Sequence, residues 1–527
     1  MMKNKRKQRR TFIINKKKDK ERRGGRMLLG IDVGTTGAKA MLFAPDGKAL
    51  GYAFQEYGIQ YTKEGYAQQD AEKVWEITKR VIQKAVKEAA MPIKAVSLSV
   101  QGDAVIAVDR NRHAISSAHL GMDYRGQEEA RQCGEDLGEK WIFQKTGMRP
   151  HPMNFFIKIL WIQKHDPNLY ERTWKFVTYA DFLLGKLGSD DIVVDYTMAS
   201  RTQAFELKEK VLSKEILGAY GISEEKLGRP VPSGTVVGKI RRELAEELGI
   251  SQDALLVAGG HDQVCAAIGA GITYKGMALD SHGTAEVLST VLEEPKLNDV
   301  MFKGYYPCYI HGLPGQYFTF ALNHTGGALL KWFVEGFCQK DRELAEKGGG
   351  GEVYDYLISR MPEGVAPVVV LPYLNGSGTP ACDLEMKGGI LGLTMATDRF
   401  DIGKGILEAL AFEMRWNLAE MRKAGVQITD IRCVGGGARS SEGLQLKADI
   451  MGVPVASLKI REAACFGAAI LAGKGLEIYR GIKEVGGLVQ VKEIFEPCLP
   501  RHKAYESRYH LYRELYDSLR QAMYDLT

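Results

Sequence analysis

The sequence predicts an α/β protein built from two similar domains. Short β-type apolar runs alternate with helical stretches that carry an apolar face, the pattern of α/β folds. A strand ending in an acid and a Gly-Thr turn, Asp32-Val-Gly34-Thr35, returns about 248 residues later as Asp280-Ser-His-Gly283-Thr284. The length of 527 residues suits two large domains or about three of ordinary size.

Taken in order, Met27–Asp32 reads as a buried strand and Lys39–Phe43 as a second. Pro45-Asp-Gly-Lys48 has turn chemistry, with proline fixing φ and glycine free to take φ > 0. Gly51–Gln55 continues the meander, and Val74–Ala89 shows a helical apolar face at 74, 77, 78, 81, 82, 85 and 86. Val96–Val100 and Val105–Val108 are strands again. The second half restarts with Gly276–Asp280. Ile402–Met421 reads as a helix with Gly425 as its C-cap. Ile431–Val434 is a strand running into three glycines, and Ser440 or Ser441 caps a helix through Met451. Lys347–Gly351 is expected to be a short flexible loop. Tyr505–Leu526 is expected to be a helix on the second domain, with an exposed aromatic face that could pair two copies in a homodimer.

Composition excludes several classes. Hydrophobic residues at 45% and charged residues at 26% exclude wholesale disorder. No run of about eighteen apolar residues offers a membrane span. The eight cysteines are scattered without Cys-x-x-Cys, which disfavours a disulfide scaffold or a zinc knot and fits a reducing cytoplasm. The net charge of +6 is uneven: residues 1–26 hold thirteen Lys or Arg against Asp19 and Glu21, leaving 58 basic and 63 acidic residues in the rest. Such a block is expected to be disordered and able to bind polyanions. A second reading is a translated leader ahead of a true start at Met27, since Arg22-Arg23 can be encoded AGG-AGG, a purine-rich ribosome-binding sequence nine bases upstream.

Three glycine turns and a few carboxylates carry the candidate chemistry. Gly34-Thr35-Thr36-Gly37 lets backbone and hydroxyls approach a phosphate, and Asp32 before it could hold Mg²⁺ through water. The alternative is an ordinary hairpin turn. Gly259-Gly260-His261-Asp262-Gln263 places a carboxylate after an apolar strand, Ala254–Ala258. Asp262 there reads equally as a proton acceptor and as a helix N-cap, and His261 as structural or substrate-shaping. Gly435-Gly436-Gly437-Ala438-Arg439-Ser440 is a strand–glycine–helix ligand loop or a plain connector, and it lacks the dinucleotide spacing. Gln101, Asp103, Asp123 and Arg125 could line a hydroxylated ligand's pocket; taken singly, Asp103, Asp123 and Arg125 read as surface. No Walker A motif, nucleophile elbow or metal-ligand cluster appears.

Together these motifs resemble the FGGY family of carbohydrate kinases, in the actin-like ATPase superfamily. The resemblance runs from about Leu28 to Leu476. It rests on Gly30-Ile-Asp-Val-Gly-Thr-Thr-Gly37, Gly259–Gln263, Gly283-Thr284, Pro372-Tyr-Leu-Asn-Gly376, Leu407–Phe412 and Val434-Gly-Gly-Gly-Ala438. It implies two ribonuclease-H-like domains around a central cleft. Residues 27–271 would be the sugar-binding domain and 272–527 the ATP-binding domain with its C-terminal helix.

Carried over, Asp262 would be the general base toward a terminal sugar hydroxyl, and Asp32 with Asp262 would position Mg²⁺. Gly34, Thr35, Thr36, Gly283 and Thr284 would surround the phosphates of ATP. Gly436, Gly437 and Ser440 would face the adenosine. Gln101, Asp103, Asp123, Arg125 and His261 fall at or near positions where the family contacts sugar. Three places depart from the family's xylulokinases: Gln101-Gly-Asp-Ala104 stands where xylulokinase-like members have Gln-Met-His-Gly, Gly376-Ser-Gly378 where Gly-Glu-Arg is common, and His261 before the expected base resembles deoxysugar and less-studied branches more. The expected activity is ATP-dependent phosphorylation of a ketose or polyol, a ketopentose such as xylulose first, with no nucleic-acid or membrane partner. The rival reading on the same fold is a nucleotide-dependent switch without sugar turnover; a weaker one is nucleic-acid binding through residues 1–26.

Overall fold

A computed structural model describes residues 25–87, 89, 91–347, 352–479 and 481–526. The basic segment up to Gly24, and with it the tail or leader reading, lies outside the described residues. So does nearly all of the loop expected at 347–351.

The described chain forms two compact units. One holds the chain up to Gly271 together with Tyr309–Gly315 and Glu462–Leu488, and the other holds the remaining segments. A single division at 271/272 therefore misses two returns of the chain, and the reason is packing. The returning helix 463–475 is apolar almost all round and is buried in the first unit.

In the first unit the strands are β1 (Met27–Val33), β2 (Gly37–Phe43), β3 (Ala49–Glu56), β4 (Ile93–Val100), β5 (Val236–Lys239) and β6 (Leu255–His261). Helix α1 (Ala71–Val86) starts under an Asp70 N-cap that accepts from Glu72 and Lys73. Helix α2 (Asp262–Gly269) follows β6 directly. The sheet order is β5-β6-β4-β1-β2-β3, with β4 parallel to β1 and to β6, and the other neighbours antiparallel. The Pro45–Lys48 turn forms as expected, with Gly47 at φ +87°.

The second unit repeats this plan. Its strands are β7 (Gly276–His282), β8 (Glu286–Leu292), β9 (Tyr317–Asn323), β10 (Ile428–Gly435), β11 (Val455–Leu458) and β12 (Val491–Phe495). The helices used below are α3 (Gly327–Phe337), α4 (Arg399–Lys423), α5 (Ser441–Met451), α6 (Ala463–Gly475, in the first unit) and α7 (Leu499–Tyr524). Six consecutive strands run β9-β8-β7-β10-β11-β12, with β7 parallel to β10 and β10 to β11, and the rest antiparallel. Each matches its counterpart in the first sheet in neighbour and direction. The acids of the echoed motif sit at the same node: Asp32 pairs in register with Ser99 of β4, and Asp280 with Cys433 of β10.

Several expectations shift at their edges. Helix α1 starts at Ala71 because Asp70 caps it, and α4 is capped by Asp398 in a capping box and ends at Lys423, with Ala424 rather than Gly425 as its C-cap and Gly425 following at φ +82°. Strand β6 runs on through Gly259, Gly260 and His261 rather than stopping at Ala258. A Cβ at Gly259 would lie 1.7 Å from the Leu98 carbonyl oxygen, so only glycine lets β6 pass β4 at this irregular step.

The aromatic face of α7 is not exposed. Tyr505, Tyr512 and Tyr516 are buried in a core with Tyr373, Phe412 and Trp416, and the hydroxyls of Tyr512 and Tyr373 both donate to Glu413. Tyr524 donates to Asp383. This corrects the expected dimerising face: large aromatic area with hydroxyl tips is satisfied inside the unit.

Candidate functional site

In the first unit the turn Gly34–Gly37 closes the β1–β2 hairpin, with the Gly34 amide donating to Gly37. Tyr57 donates its hydroxyl to the Gly34 and Gly37 carbonyls, and Gln69 Nε2 donates to the Thr35 carbonyl at 2.5 Å. Gln69 is in turn fixed by Gln101 and Tyr179, both donating to its Oε1 at 3.1 Å. The turn is thus a hairpin whose carbonyls are occupied from behind, while Thr36 stays exposed.

Asp32 ends up beside this turn. Ser99 donates to its Oδ1 at 2.7 Å, and Lys39, its partner on β2, is held by Glu462 at 2.7 Å. Burial raises Asp32 above the ordinary carboxylate range, against Ser99 and Lys39, which lower it. Asp262 is the first residue of α2; the N-cap position belongs to His261, so the capping reading of Asp262 does not hold. Its side chain keeps 31% exposure, and its Oδ1 accepts from the Gln263 amide at 2.6 Å. Burial first, then the Asp32 charge, push Asp262 up to about 7, against Gln263 and Arg201. His261 Nε2 lies 3.2 Å from Asp262 Oδ1; burial and Arg201 keep this imidazole neutral.

Next to these stands a pair half-missed from sequence. Asp103, at φ +65°, is buried and accepts from the buried Arg201 guanidinium. Arg201 lies 5.3 Å from the Tyr309 ring centroid, and the same ring meets His261 edge-on at 5.9 Å. Lys158, fully buried, donates to the Asp103 carbonyl at 3.0 Å; burial brings it down to about 7. Gly102 admits this crowding, since a Cβ there would lie 2.7 Å from His261 Nε2 and 3.1 Å from Arg201 Nε.

Asp123 and Arg125 are spent on each other. Two parallel hydrogen bonds of 2.9 and 2.7 Å join them. The guanidinium stacks over Tyr66 at 4.4 Å and Trp161 at 4.8 Å, and its Nη1 donates to His119. Reading Asp103, Asp123 and Arg125 as surface fails for all three side chains, because each charge has a buried partner of opposite sign.

In the second unit Gly283, Thr284, Gly436, Gly437 and Ser440 line one cavity of about 970 Å³. Trp332 and Leu330 of α3, with Tyr354 and Ile358, give it an apolar wall. Ser440 is the N-cap of α5, accepting from Gly443 at 3.0 Å. Gly437 packs on the His282 ring, where a Cβ would lie 2.5 Å from Cγ. Below the Gly283-Thr284 turn, Lys447 reaches Asp280, Glu286 and His282 in a buried cluster. Such a cavity, apolar-walled with exposed glycine turns at one end, suits a base plus phosphates.

Sequence reasoning missed Arg201, Lys158, Tyr309, Gln69 and Lys447. None stands in a glycine motif; only the fold brings them to the motifs. The departure at Gly102-Asp103, a small residue and a charge that demands a partner, signalled Arg201 alone.

Residues 27–269 match the family model "FGGY family of carbohydrate kinases, N-terminal domain", and residues 278–476 match its C-terminal counterpart. A xylulose kinase of Staphylococcus epidermidis is 29% identical over 508 residues, covering 95% of this chain and 98% of that one. Among solved structures, a ligand-bound xylulose kinase from Lactobacillus acidophilus superposes with a TM-score of 0.87 at 23% identity, covering 95% of this chain and all of that one. A gluconate kinase from the same organism gives 0.86 at 23% identity, with the same coverage.

Proposed function

Because the chain belongs to the FGGY family of carbohydrate kinases, we propose that it transfers the γ-phosphoryl group of ATP to a terminal hydroxyl of a ketose or polyol, a ketopentose such as xylulose being the best candidate. The choice of xylulose is supported by the similarity to a xylulose kinase along 95% of the chain. The observation that carries the mechanism is the Asp262 carboxylate: partly exposed, at the start of a helix, and pushed up to about 7 beside Asp32.

In this reading Asp262 accepts the hydroxyl proton as the sugar oxygen forms its bond to the γ-phosphorus and the bond to the β-phosphate oxygen breaks, leaving ADP. A base poised near neutrality has both the right protonation state and useful proton affinity. The cavity in the second unit takes ATP, with Gly283 and Thr284 towards the phosphates and Gly436, Gly437 and Ser440 towards the adenosine. Thr35 and Thr36 offer further donors to phosphate. Asp103, Gln101 and His261 shape the sugar side; Asp123 and Arg125 support that wall through each other rather than by free charges.

The residues present fit a magnesium ion. Asp32 and Asp262 are two partly exposed carboxylates, hard oxygen donors, and the charge of Asp32 raises the proton affinity of Asp262. When bound, Mg²⁺ neutralises phosphate charge during transfer. Alignment and exclusion of water then fall to the protein.

A coupled ADP-release screen over pentoses, hexoses, deoxysugars and polyols tests the proposal. Sugar-dependent ADP release is expected, and Asp262→Asn should lower it by roughly 10²–10⁴ with ADP binding intact. ADP release indifferent to every sugar would overturn the kinase reading. Near-normal turnover in Asp262→Asn would remove Asp262 from the role of base.

A further inference from the structure

The cluster beneath the Gly283-Thr284 turn has a proton count that fixes its hydrogen bonds. A lysine ammonium has three protons and no lone pair. Lys447 Nζ has three acceptors: Asp280, Glu286 and, at 3.1 Å, His282 Nδ1. The cluster is almost closed to water, with side-chain exposures of 9% for Lys447, 1% for Asp280 and 0% for Glu286. Burial disfavours the ammonium, but the two carboxylates more than offset it and hold Lys447 charged. Nδ1 of His282, which also lies 3.4 Å from Glu286 Oε1, faces the ammonium as its third acceptor, and this leaves Nε2 as the ring's donor. That atom has no hydrogen-bond partner among the described residues, while the His282 ring lines the cavity beside Gly283 and Thr284.

We propose that His282 is a phosphate-recognising donor of the nucleotide site, and that Lys447 is the positioning residue that locks it as the Nε2–H tautomer. The inference rests on reading the cavity as the ATP site. Its physical logic is that of a ring whose far nitrogen is saturated so that the near one is always a donor. Asp280 and Glu286 hold the ammonium in place. Without Lys447, the two carboxylates would favour a proton on Nδ1, and Nε2 would lose its fixed role as donor. Gly437 is part of the device, because any side chain there would strike the ring.

The test uses the contrast between amide replacements. A glutamine amide nitrogen can stand near Nε2, while an asparagine amide can stand only near Nδ1. His282→Asn should bind ADP roughly tenfold or more weakly, the scale of a hydrogen bond to a charged group, with adenosine binding unchanged by calorimetry. His282→Gln should stay within about threefold of wild type for both ligands. In ¹⁵N-histidine spectra of the whole protein, His282 should carry its proton on Nε2, and Lys447→Met should abolish that pattern. Equal ADP affinity in wild type and His282→Asn, equal losses of ADP and adenosine, or a proton on Nδ1 would overturn the inference. Ala328→Trp fills the cavity and should abolish ADP binding while the fold melts as wild type. Retained binding there would instead bring down the nucleotide assignment on which the inference stands.

Discussion

Gly467 of α6 lies against Cys265 of α2 so closely that a Cβ on the glycine would stand 1.8 Å from the Cys265 carbonyl oxygen. The contact is reciprocal, since a Cβ on Gly269 would stand 1.9 Å from the Ala463 carbonyl oxygen. Two short-side-chain helices are thereby locked backbone to backbone, and α2 carries Asp262 at its first position. Residues about 200 positions apart in the chain, brought together only by the fold, thus decide where the proposed base points.

Gly467→Ala should therefore damage both stability and turnover. The backbone must give way, at a cost of about 1–3 kcal/mol for one extra methyl in a packed site. The measurements are a thermal melt and kcat with saturating sugar and ATP. A fall in kcat larger than the fall in folded fraction locates the damage at Asp262; an unchanged melt and kcat would show the contact to be slack.

The pH dependence follows from the sign of the Asp262 shift. A base must be ionised, so kcat/KM should drop tenfold per pH unit below about 7 and level off above it. Stability moves the other way. Asp262 is held above the ordinary carboxylate value of ~3.9, so the folded chain binds the extra proton between that value and about 7, and this group costs stability as pH rises through the window. Asp262→Asn should melt above wild type at pH 8 and show no advantage at pH 4. An Asn variant that melts lower at pH 8 would contradict the raised proton affinity.

The Asp103–Arg201 pair should behave as a buried ion pair. Both side chains are nearly inaccessible, at 3% and 4% exposure. Arg201→Met leaves a buried carboxylate and should cost about 3–5 kcal/mol, whereas adding Asp103→Asn to it should recover part of the loss. Asparagine suits position 103 because it tolerates the φ of +65°. Additive losses in the double-mutant cycle would deny the coupling. In the same proteins, KM for sugar should rise and KM for ATP should not.

Tyr512→Phe removes one of the two donors to the buried Glu413 carboxylate. The expected loss is about 1–3 kcal/mol, read as a lower melting temperature. The oligomeric state by light scattering should match wild type, because the α7 aromatic face is core. A change of oligomeric state without loss of stability would restore the exposed-face view.

Much of the architecture was legible in the chain. The β1 and β7 strands each end in an acid and a glycine turn, and the two sheets do repeat, node by node. The reason is local: tight turns need glycine, buried strands need apolar runs, and helix faces need a 3.6 period. What failed was placement of charge. Asp103, Asp123 and Arg125 look like surface residues in one dimension, because a sequence shows a charge but not the partner that permits its burial.

The sequence alone determined several of the strands and helices, the glycine turns and the place of Asp262 after an apolar strand, since backbone sterics and hydrophobic periodicity act over a few residues. Only the tertiary structure decided that α6 returns to the first unit to seat α2, that Arg201 answers Asp103, and that Lys447 gathers Asp280, Glu286 and His282. Those facts depend on groups distant in the chain meeting where water is excluded, and there a charge or a missing Cβ acquires a meaning it lacks in the unfolded chain.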